Sequence, residues 1–411
     1  MNFDLSKPQQ LLKESARELL QRECPPEKVR ELMATATAHS DELWQAIADQ
    51  GWTGMTAPEE WNGLDLTALE VCVVAEEMGR ACLPGAFLSN LLATELFARA
   101  ANESQKEKYL APLALGEKRA TVALLENAGG WRTADIKLSA ERSGGNFVLN
   151  GKKMFVADAE TADFIVCAAR YDESLILLPI EKDTENLRIK PLRSMDATRK
   201  LYEVSFENVR VPTADVLGAD GNAERILGEA LDAATVALCA EMLGGMQWIL
   251  ETSVEYAKNR EQFGRVIGSF QAVQHQLADM LLLTESAKSA VYYAAWALSN
   301  EDADRASRAV SVAKAYCSDA YREIANRGVQ IHGGIGFTWE HDLQLYYKRA
   351  KSSEVLFGDA NFHRERVAEF YIDGGKSRSA ARTIKSATSS ADDNNGSSNG
   401  VASSAAVTVE I

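Results

Sequence analysis

The sequence predicts an α+β protein with an N-terminal helical domain, a central β-barrel or β-sandwich domain and a C-terminal four-helix bundle. Three observations support this prediction. Apolar residues first recur with the helical period, short β-branched runs follow them, and longer helical runs then return. We place the domains at 1–118, 119–222 and 223–375, with a tail at 376–411.

The N-terminal domain is predicted to consist of short amphipathic helices. In the first of them Leu12, Ala16 and Leu19 fall on one helical face, so that this face is expected to be buried. Further runs with the helical period follow at 41–50, 67–80 and 91–101.

The central domain is marked by short runs such as DFIVCAAR and YEVSFENVRVP, which turn residues separate. Asn150-Gly151 lies between two apolar runs, and this dipeptide is typical of a tight β-hairpin turn. We therefore predict strands here, with a hairpin at Asn150-Gly151.

The C-terminal part predicts four long helices, at 226–259, 269–299, 302–327 and 341–371, whose apolar faces pack on one another. Beyond Gly374 the composition changes to Ser, Ala, Asn, Asp and Gly. Such a stretch buries too little apolar surface to fold, so we expect a disordered tail there.

Charge and composition exclude several classes of function. The net charge of −15 repels nucleic-acid phosphates and anionic lipids. Apolar runs of about 18 residues are missing, which argues against membrane insertion. Six scattered cysteines form no CxxC pair, and the N-terminus lacks the pattern of a signal peptide. These features predict a cytoplasmic protein with reduced thiols.

Glu241 is the most unusual candidate for a catalytic residue. It lies in TVALCAEMLGGMQWIL, a helical stretch that is apolar nearly all round and is therefore expected to be buried. Burial removes hydration from a carboxylate and raises the pKa of a carboxyl group, which suits a general base near neutral pH. The alternative is that this glutamate reaches solvent or pairs with an arginine from another helix.

Two other segments have the composition of a ligand site. Arg260 and Phe263 lie where a long helix ends, and they are suited to a phosphate and a flat ring. Alternatively, the basic residues there complement the helix dipole. Gly333 and Gly334 lie in QIHGGIG, where backbone amides can approach anionic oxygens or simply form a helix-ending turn. The histidines show no metal-ligand spacing, so no metal site is predicted.

Taken in order, these features resemble the acyl-CoA dehydrogenase family. NREQFGRVIGSFQAVQHQLADM is similar to that family's R-x-x-F-G…Q segment. VQIHGGIGFTWEHDLQLYYKRAK is similar to its Q-x-x-G-G-x-G-[FY] segment and the helix after it. The resemblance spans roughly residues 5–372 and is most specific in the C-terminal third.

The resemblance implies an FAD flavoprotein of lipid metabolism that converts an acyl-CoA thioester to a trans-2-enoyl-CoA and passes electrons to an electron-transferring flavoprotein. It also implies contacts to FAD across a subunit interface, and therefore an oligomer. Carried over by position, the residues at the pyrophosphate and adenosine side are Arg260, Gln262, Phe263, Gln271, Gln330, Gly333 and Gly334. Phe155 begins the segment beside the flavin.

The sequence departs from the family pattern at the base. Phe357 occupies the position of the commonest family glutamate, and Ala234 occupies a second family position. Glu241 lies seven residues beyond Ala234 on nearly the same helical face. Its A-E-M-L-G-G context resembles bacterial heteromeric enzymes that act on bulky CoA thioesters, such as those of steroid degradation. We therefore assign Glu241 as the base, with Asp359 as the other acid near the usual position.

The flavin-facing segments differ as well. The loop at 125–131 lacks the family's G-A-G-S-D pattern, and Ala157 lacks the hydroxyl expected at the flavin. A homo- or heterotetramer, the latter α2β2 with a related subunit, accommodates these departures. The alternatives are a non-catalytic subunit that supports a partner's FAD, a flavin oxidase or monooxygenase on the same fold, and a helical adaptor without enzymatic activity.

Overall fold

The computed structural model describes residues 5–218 and 221–372, so the predicted tail at 376–411 lies outside the described residues. Helices come first, two sheets follow, and long helices complete this part of the chain. The predicted α+β fold is confirmed.

The N-terminal domain is helical because its apolar residues recur on one face of each segment and its helix starts are capped. Ser6 and Gln9 form a capping box at the first helix, and Thr67 and Glu70 form another at the fourth. The helices are α1 (Lys7–Glu23), α2 (Pro26–Ala34), α3 (Asp41–Asp49), α4 (Ala68–Arg80), α5 (Phe87–Ala100), α6 (Glu103–Gln105) and α7 (Ala111–Ala114).

The central domain is a sandwich of two sheets with the strand orders β1-β4-β5 and β2-β3-β7-β6. Alternate apolar residues of both sheets, such as Ile165 and Val204, share one buried cluster. The strands are β1 (Ala120–Ala123), β2 (Ala140–Ser143), β3 (Asn146–Ala157), β4 (Phe164–Tyr171), β5 (Ser174–Glu181), β6 (Leu187–Leu192) and β7 (Leu201–Pro212).

The hairpin predicted at Asn150-Gly151 is wrong. Strand β3 runs through this dipeptide, and its register against β7 shifts between Leu149 and Asn150. The Asn150 side chain accepts a hydrogen bond from the backbone N–H of Asn208, which has a positive φ of 60°. The dipeptide therefore lies opposite a β-bulge in β7, in which Asn208 is the extra residue. The chain reverses before β3 instead, at Gly144, where φ is 61°.

The C-terminal bundle contains α8 (Ala223–Asn259), α9 (Gln271–Asn300), α10 (Ala303–His332), α11 (Leu343–Val355) and α12 (Ala360–Ile372), with the short strands β8 (Glu261–Gln262) and β9 (Arg265–Val266) after α8. The fourth predicted helix is therefore two helices. The chain breaks between them because Phe357 and Gly358 have positive φ values of 58° and 102°, which a continuing helix excludes.

Two glycines bring α4 and α8 into backbone contact. A Cβ atom at Gly79 would lie 1.8 Å from the carbonyl oxygen of Glu241, and one at Gly244 would lie 1.8 Å from that of Glu76. This close approach fixes the height of Glu241 relative to the N-terminal domain. Among the described residues, a helix with the length and apolar character needed to cross a bilayer is not found.

Candidate active site

A cavity of about 50 Å³ lies where the three parts of the chain meet. Helices α4, α5, α8 and α11 contribute to its wall, and the end of β3 completes it. The cavity has room for about one or two water molecules. It is much smaller than the roughly 300–1,000 Å³ of most ligand pockets, so an acyl thioester enters only if side chains of the wall move.

Glu241 lines this cavity and is 7% exposed. Its carboxylate is held by two guanidinium groups. Nη2 of Arg199 donates to both carboxylate oxygens at 2.8 and 3.0 Å, and Nη1 of Arg349 donates to Oε1 at 2.6 Å. The sequence left open whether Glu241 is buried, reaches solvent or pairs with an arginine. In the structure it is buried and it pairs with two arginines.

The ion pairs of Glu241 belong to a charge-balanced cluster. Arg349 also donates through Nε to Asp196 Oδ2 at 2.9 Å and through Nη2 to the Leu83 carbonyl at 3.0 Å. Arg199 additionally donates to Ser353 Oγ at 3.2 Å. The cluster therefore contains two cations, Arg199 and Arg349, and two anions, Asp196 and Glu241. Its hydrogen bonds connect four parts of the chain: the loop before α5, the segment before β7, helix α8 and helix α11.

Asp158 is a second acid that lines the cavity, and the sequence analysis missed it. It follows β3 with a positive φ of 54°, and Ser89 Oγ donates to its Oδ2 at 2.6 Å. Burial raises the pKa of Asp158, although the Ser89 hydrogen bond and the charges of Arg199 and Arg349 act against that shift. Within residues 5–218 and 221–372, no cationic side chain donates a hydrogen bond to this carboxyl.

Phe357, which occupies the position of the usual family base, closes another side of the cavity. Its ring meets that of Trp131 edge to face, with centroids 5.8 Å apart. Buried groups hold the backbone around it. His363 Nε2 donates to the Phe357 carbonyl at 3.0 Å, and Lys314 Nζ donates to the Gly358 carbonyl at 2.8 Å. Asp359 is exposed and caps the next helix through the N–H of Phe362.

The loop at 125–131 is fixed by a salt bridge under it. Nζ of Lys153, whose side chain is fully buried, donates to Glu126 Oε1 at 2.7 Å and to the Leu124 carbonyl at 3.0 Å. The same Glu126 oxygen accepts backbone N–H groups from residues 137 and 138. Phe155, on the neighbouring strand, lines the cavity and is half exposed.

The other seven predicted cofactor residues lie together at the far end of the bundle. Tyr256 stacks on His332 with centroids 4.4 Å apart, which joins the end of α8 to the end of α10. Nineteen residues of α8, about 28 Å along the helix axis, separate Arg260 from Glu241. All seven are exposed or at a helix end: Arg260, Gln262, Phe263, Gln271, Gln330, Gly333 and Gly334.

This surface has free binding groups. In the part of the chain that the structure describes, the Arg260 guanidinium has no acidic partner, and Phe263 is 92% exposed at the turn between β8 and β9. A Cβ atom at Gly333 or Gly334 would meet no atom within 4 Å, so the backbone is open to a ligand. A cation, an aromatic ring and accessible backbone amides together suit a pyrophosphate joined to a flat ring.

Comparisons with known proteins agree on one family. Family models of the acyl-CoA dehydrogenase N-terminal, middle and C-terminal domains match residues 6–117, 121–209 and 224–372. Acyl-CoA dehydrogenase IpdE2 of Mycolicibacterium smegmatis is 32% identical over 356 residues, covering 86% of this chain and 96% of that protein. The chain belongs to the acyl-CoA dehydrogenase family. It is an oxidoreductase that acts on CH–CH groups.

Two further similarities show the range of this family. Acryloyl-CoA reductase (NADH) of Anaerotignum propionicum is 30% identical over 380 residues, covering 90% of this chain and 95% of that protein. In the ChsE4–ChsE5 complex from Mycobacterium tuberculosis, the matched chain has a TM-score of 0.82 and 26% identity, with coverage of 90% of this chain and 99% of that chain. The cofactor of the acyl-CoA dehydrogenase family is FAD.

The arginines and Asp158 are the site residues that sequence reasoning missed. Arg349 carried a usable signal, since it falls on the face of α11 that also presents Tyr346 and Ser353 to the core. Arg199 and Asp158 gave no such sequence signal. Each lies in irregular backbone next to a strand, where neither the helical nor the strand periodicity of apolar residues applies. Among the described residues, no cluster of acidic, histidine or cysteine side chains forms a metal site.

Proposed function

We propose that this acyl-CoA dehydrogenase family member removes hydrogen from the α and β carbons of an acyl-CoA thioester and yields a trans-2-enoyl-CoA, with electrons passing to an electron-transferring flavoprotein. One observation carries the proposal: the buried Glu241 carboxylate lines a small cavity beside the strand end that begins with Phe155. Glu241 is the proposed base.

The residues of this chain have separable tasks in the proposed reaction. Apolar side chains such as Leu88 and Met154 exclude water from the cavity, which strengthens electrostatic interactions at the reacting carbons. Glu241 accepts the α proton once a guanidinium group has left it. FAD, when bound, supplies the acceptor for the β hydrogen. Arg260 and Gln330 would hold its pyrophosphate side, either in this chain's complex or in that of a partner subunit.

The acyl group is proposed to be bulky, as in a steroid side-chain thioester, and the assembly to be a tetramer that contains a related subunit. Similarity to IpdE2 and to a chain of the ChsE4–ChsE5 complex supports this proposal. A cavity of about 50 Å³ requires the Trp131 and Phe357 rings to separate before such a group enters.

Flavin bleaching under anaerobic conditions tests the proposal. The chain, co-expressed with any similar neighbouring gene, is mixed with butyryl-, isovaleryl- and steroid side-chain CoA thioesters while flavin absorbance is followed. Glu241→Gln is expected to slow bleaching by on the order of a thousandfold. Glu255→Gln, on an exposed face of the same helix, is the matched control and is expected to bleach at the wild-type rate.

Bleaching by Glu241→Gln at the wild-type rate would contradict the assignment of the base. Oxygen consumption without an added electron-transferring flavoprotein would instead indicate an oxidase or a monooxygenase. Both readouts use the same preparation, so the three outcomes are separable.

A second candidate function is a non-catalytic subunit that supports the FAD of a partner. The capture of Glu241 by Arg199 and Arg349 favours it, as does the aromatic plug of Phe357 and Trp131. In that case Glu241→Gln leaves the turnover of the co-purified complex unchanged. Arg260→Ala, by contrast, removes flavin from the complex.

A further inference from the structure

We propose that Asp158 is a positioning residue, which takes the guanidinium group of Arg199 when a thioester enters and thereby releases Glu241 to remove the α proton. This inference rests on the proposed function of Glu241. It answers a geometric conflict in the site, because guanidinium groups already donate to both oxygens of the Glu241 carboxylate, which a reacting proton must reach.

Arg199 is the guanidinium group that is able to move. Arg349 is fixed by Asp196, by the Leu83 carbonyl and by the Thr198 hydroxyl, in addition to Glu241. Beyond Glu241, the Arg199 guanidinium donates a hydrogen bond only to the Ser353 hydroxyl among the described residues, at 3.2 Å. Its release therefore breaks fewer interactions than the release of Arg349.

Asp158 lies beside the backbone that carries Arg199. The Asp158 N–H donates to the carbonyl of Lys200 at 3.1 Å, and Ala157 pairs with Leu201 at the end of the β3–β7 ladder. Asp158 and Arg199 also line the same cavity. The two carboxylates between which Arg199 would exchange therefore line one cavity, and one of them adjoins the backbone that carries Arg199.

Asp158 has the free capacity to receive Arg199. Within the described parts of the chain, the Asp158 carboxyl accepts a side-chain hydrogen bond only from the Ser89 hydroxyl, at 2.6 Å, whereas the carboxylate of Glu241 accepts three guanidinium hydrogen bonds. A thioester that displaces Arg199 from Glu241 leaves that cation without a partner in a dry site, which is costly. Asp158 removes the cost.

The ionisation of Asp158 then controls the exchange. The charged groups that face it are Arg199, Arg349 and Glu241, and the ionisable phenol of Tyr202 lies near it. Burial raises the pKa of Asp158, against the hydrogen bond from Ser89 and the two guanidinium charges. Acid protonates Asp158 and leaves Arg199 on Glu241, so the rate of proton removal falls on the acid side.

The chemical step is balanced without a further reactant. The α C–H bond breaks, and its proton forms an O–H bond with Glu241. The electron pair of that C–H bond would become the new C=C bond while the β hydrogen leaves with its own pair. FAD, when bound, would supply the two-electron acceptor. Asp158 and Arg199 exchange a hydrogen bond and transfer no electrons.

Exchange of the α hydrogen with D2O tests the inference separately from turnover. The holoenzyme, with its partner subunit where one co-purifies, is reduced with dithionite so that it cannot accept a hydride, and is then mixed with butyryl-CoA or isovaleryl-CoA in D2O. Deuterium in the thioester is counted by mass spectrometry across pH 5 to 9 for wild type, Asp158→Asn, Arg199→Met and the double variant.

Asp158→Asn is expected to slow exchange at least tenfold at neutral pH, because the amide attracts Arg199 less while it keeps the left-handed backbone and an acceptor for Ser89. Arg199→Met is expected to exchange faster than wild type, and Asp158→Asn is expected to change little further in that background. Ser89→Ala keeps both acids but removes the hydrogen bond that lowers the pKa of Asp158. The fall of the exchange rate with acid is therefore expected to begin at a higher pH in this variant.

Two results would overturn the inference. Either Asp158→Asn exchanges at the wild-type rate, or it slows exchange equally with and without Arg199. If Glu241→Gln abolishes exchange while Asp158→Asn does not, the proposed function stands and this inference fails. If wild type shows no exchange with these thioesters or with a steroid side-chain CoA thioester, both fail.

Discussion

The middle and the C-terminal end of α8 present opposite kinds of site. At the middle of the helix Glu241 is buried, and charged partners from two other parts of the chain satisfy it. At its far end Arg260 is exposed and has no acidic partner among the described residues, and the nearby Phe263 is almost fully exposed. The first region is already complete within one chain, and the second is open to a ligand or a partner.

This difference separates stability from binding. A buried ion cluster that loses one member leaves an uncompensated charge, so its residues are expected to affect folding as well as chemistry. Exposed, unpaired groups contribute little to folding. They are therefore expected to affect mainly FAD retention and assembly.

The largest effect is expected when the same substitution, arginine to methionine, is made in the buried cluster and at the exposed end of α8. Arg349→Met leaves Asp196 and Glu241 buried without their shared cation and is expected to lower the free energy of unfolding by about 3–5 kcal/mol. Arg260→Met is the matched control and is expected to change it by less than about 0.5 kcal/mol. Thermal and urea unfolding of the flavin-free proteins measures both. Equal effects of the two substitutions would break the comparison.

A smaller effect is expected at the exposed end of α8. Arg260→Ala removes one charge-assisted phosphate contact and is expected to weaken FAD binding by about 1.5–3 kcal/mol. The measurement is the flavin absorbance that remains with the protein after gel filtration. Arg305→Ala, an exposed arginine near the start of α10, is the control. Full retention of flavin by Arg260→Ala would remove this residue from the cofactor site.

The same contrast explains what the sequence could predict. The domain order follows from changes of hydrophobic period, and the exposed cofactor segment follows from short contiguous motifs around Arg260 and Gly333. Glu241 was visible because it interrupts an apolar helix. Its partners were not, since Arg199 and Arg349 lie 42 and 108 residues away and only the folded chain joins them. The hairpin prediction at Asn150-Gly151 failed because the dipeptide continues β3 opposite a bulge at Asn208, which lies 58 residues away along the chain.

The smallest expected effect concerns the plug at Phe357. Burial, followed by the charges of Lys314 and Arg366, lowers the pKa of His363 to about 3, while the unfolded chain has an ordinary histidine near about 6.5. The folded protein therefore keeps the His363 ring neutral at pH values where the unfolded chain already binds a proton. As a result, the free energy of unfolding decreases as pH falls from about 6.5 towards 3. The loss is at most about 1.4 kcal/mol per pH unit.

Urea unfolding of wild type and His363→Gln between pH 7.5 and 5 measures this term. The glutamine retains an N–H donor for the Phe357 carbonyl and does not titrate. The free energy of unfolding of wild type is expected to fall more steeply with acid than that of the variant, because other titrating groups contribute to both proteins alike. Parallel slopes would mean that His363 takes up a proton as readily in the folded protein as in the unfolded chain. The turn that holds Phe357 in the cavity would then not depend on a neutral ring at His363.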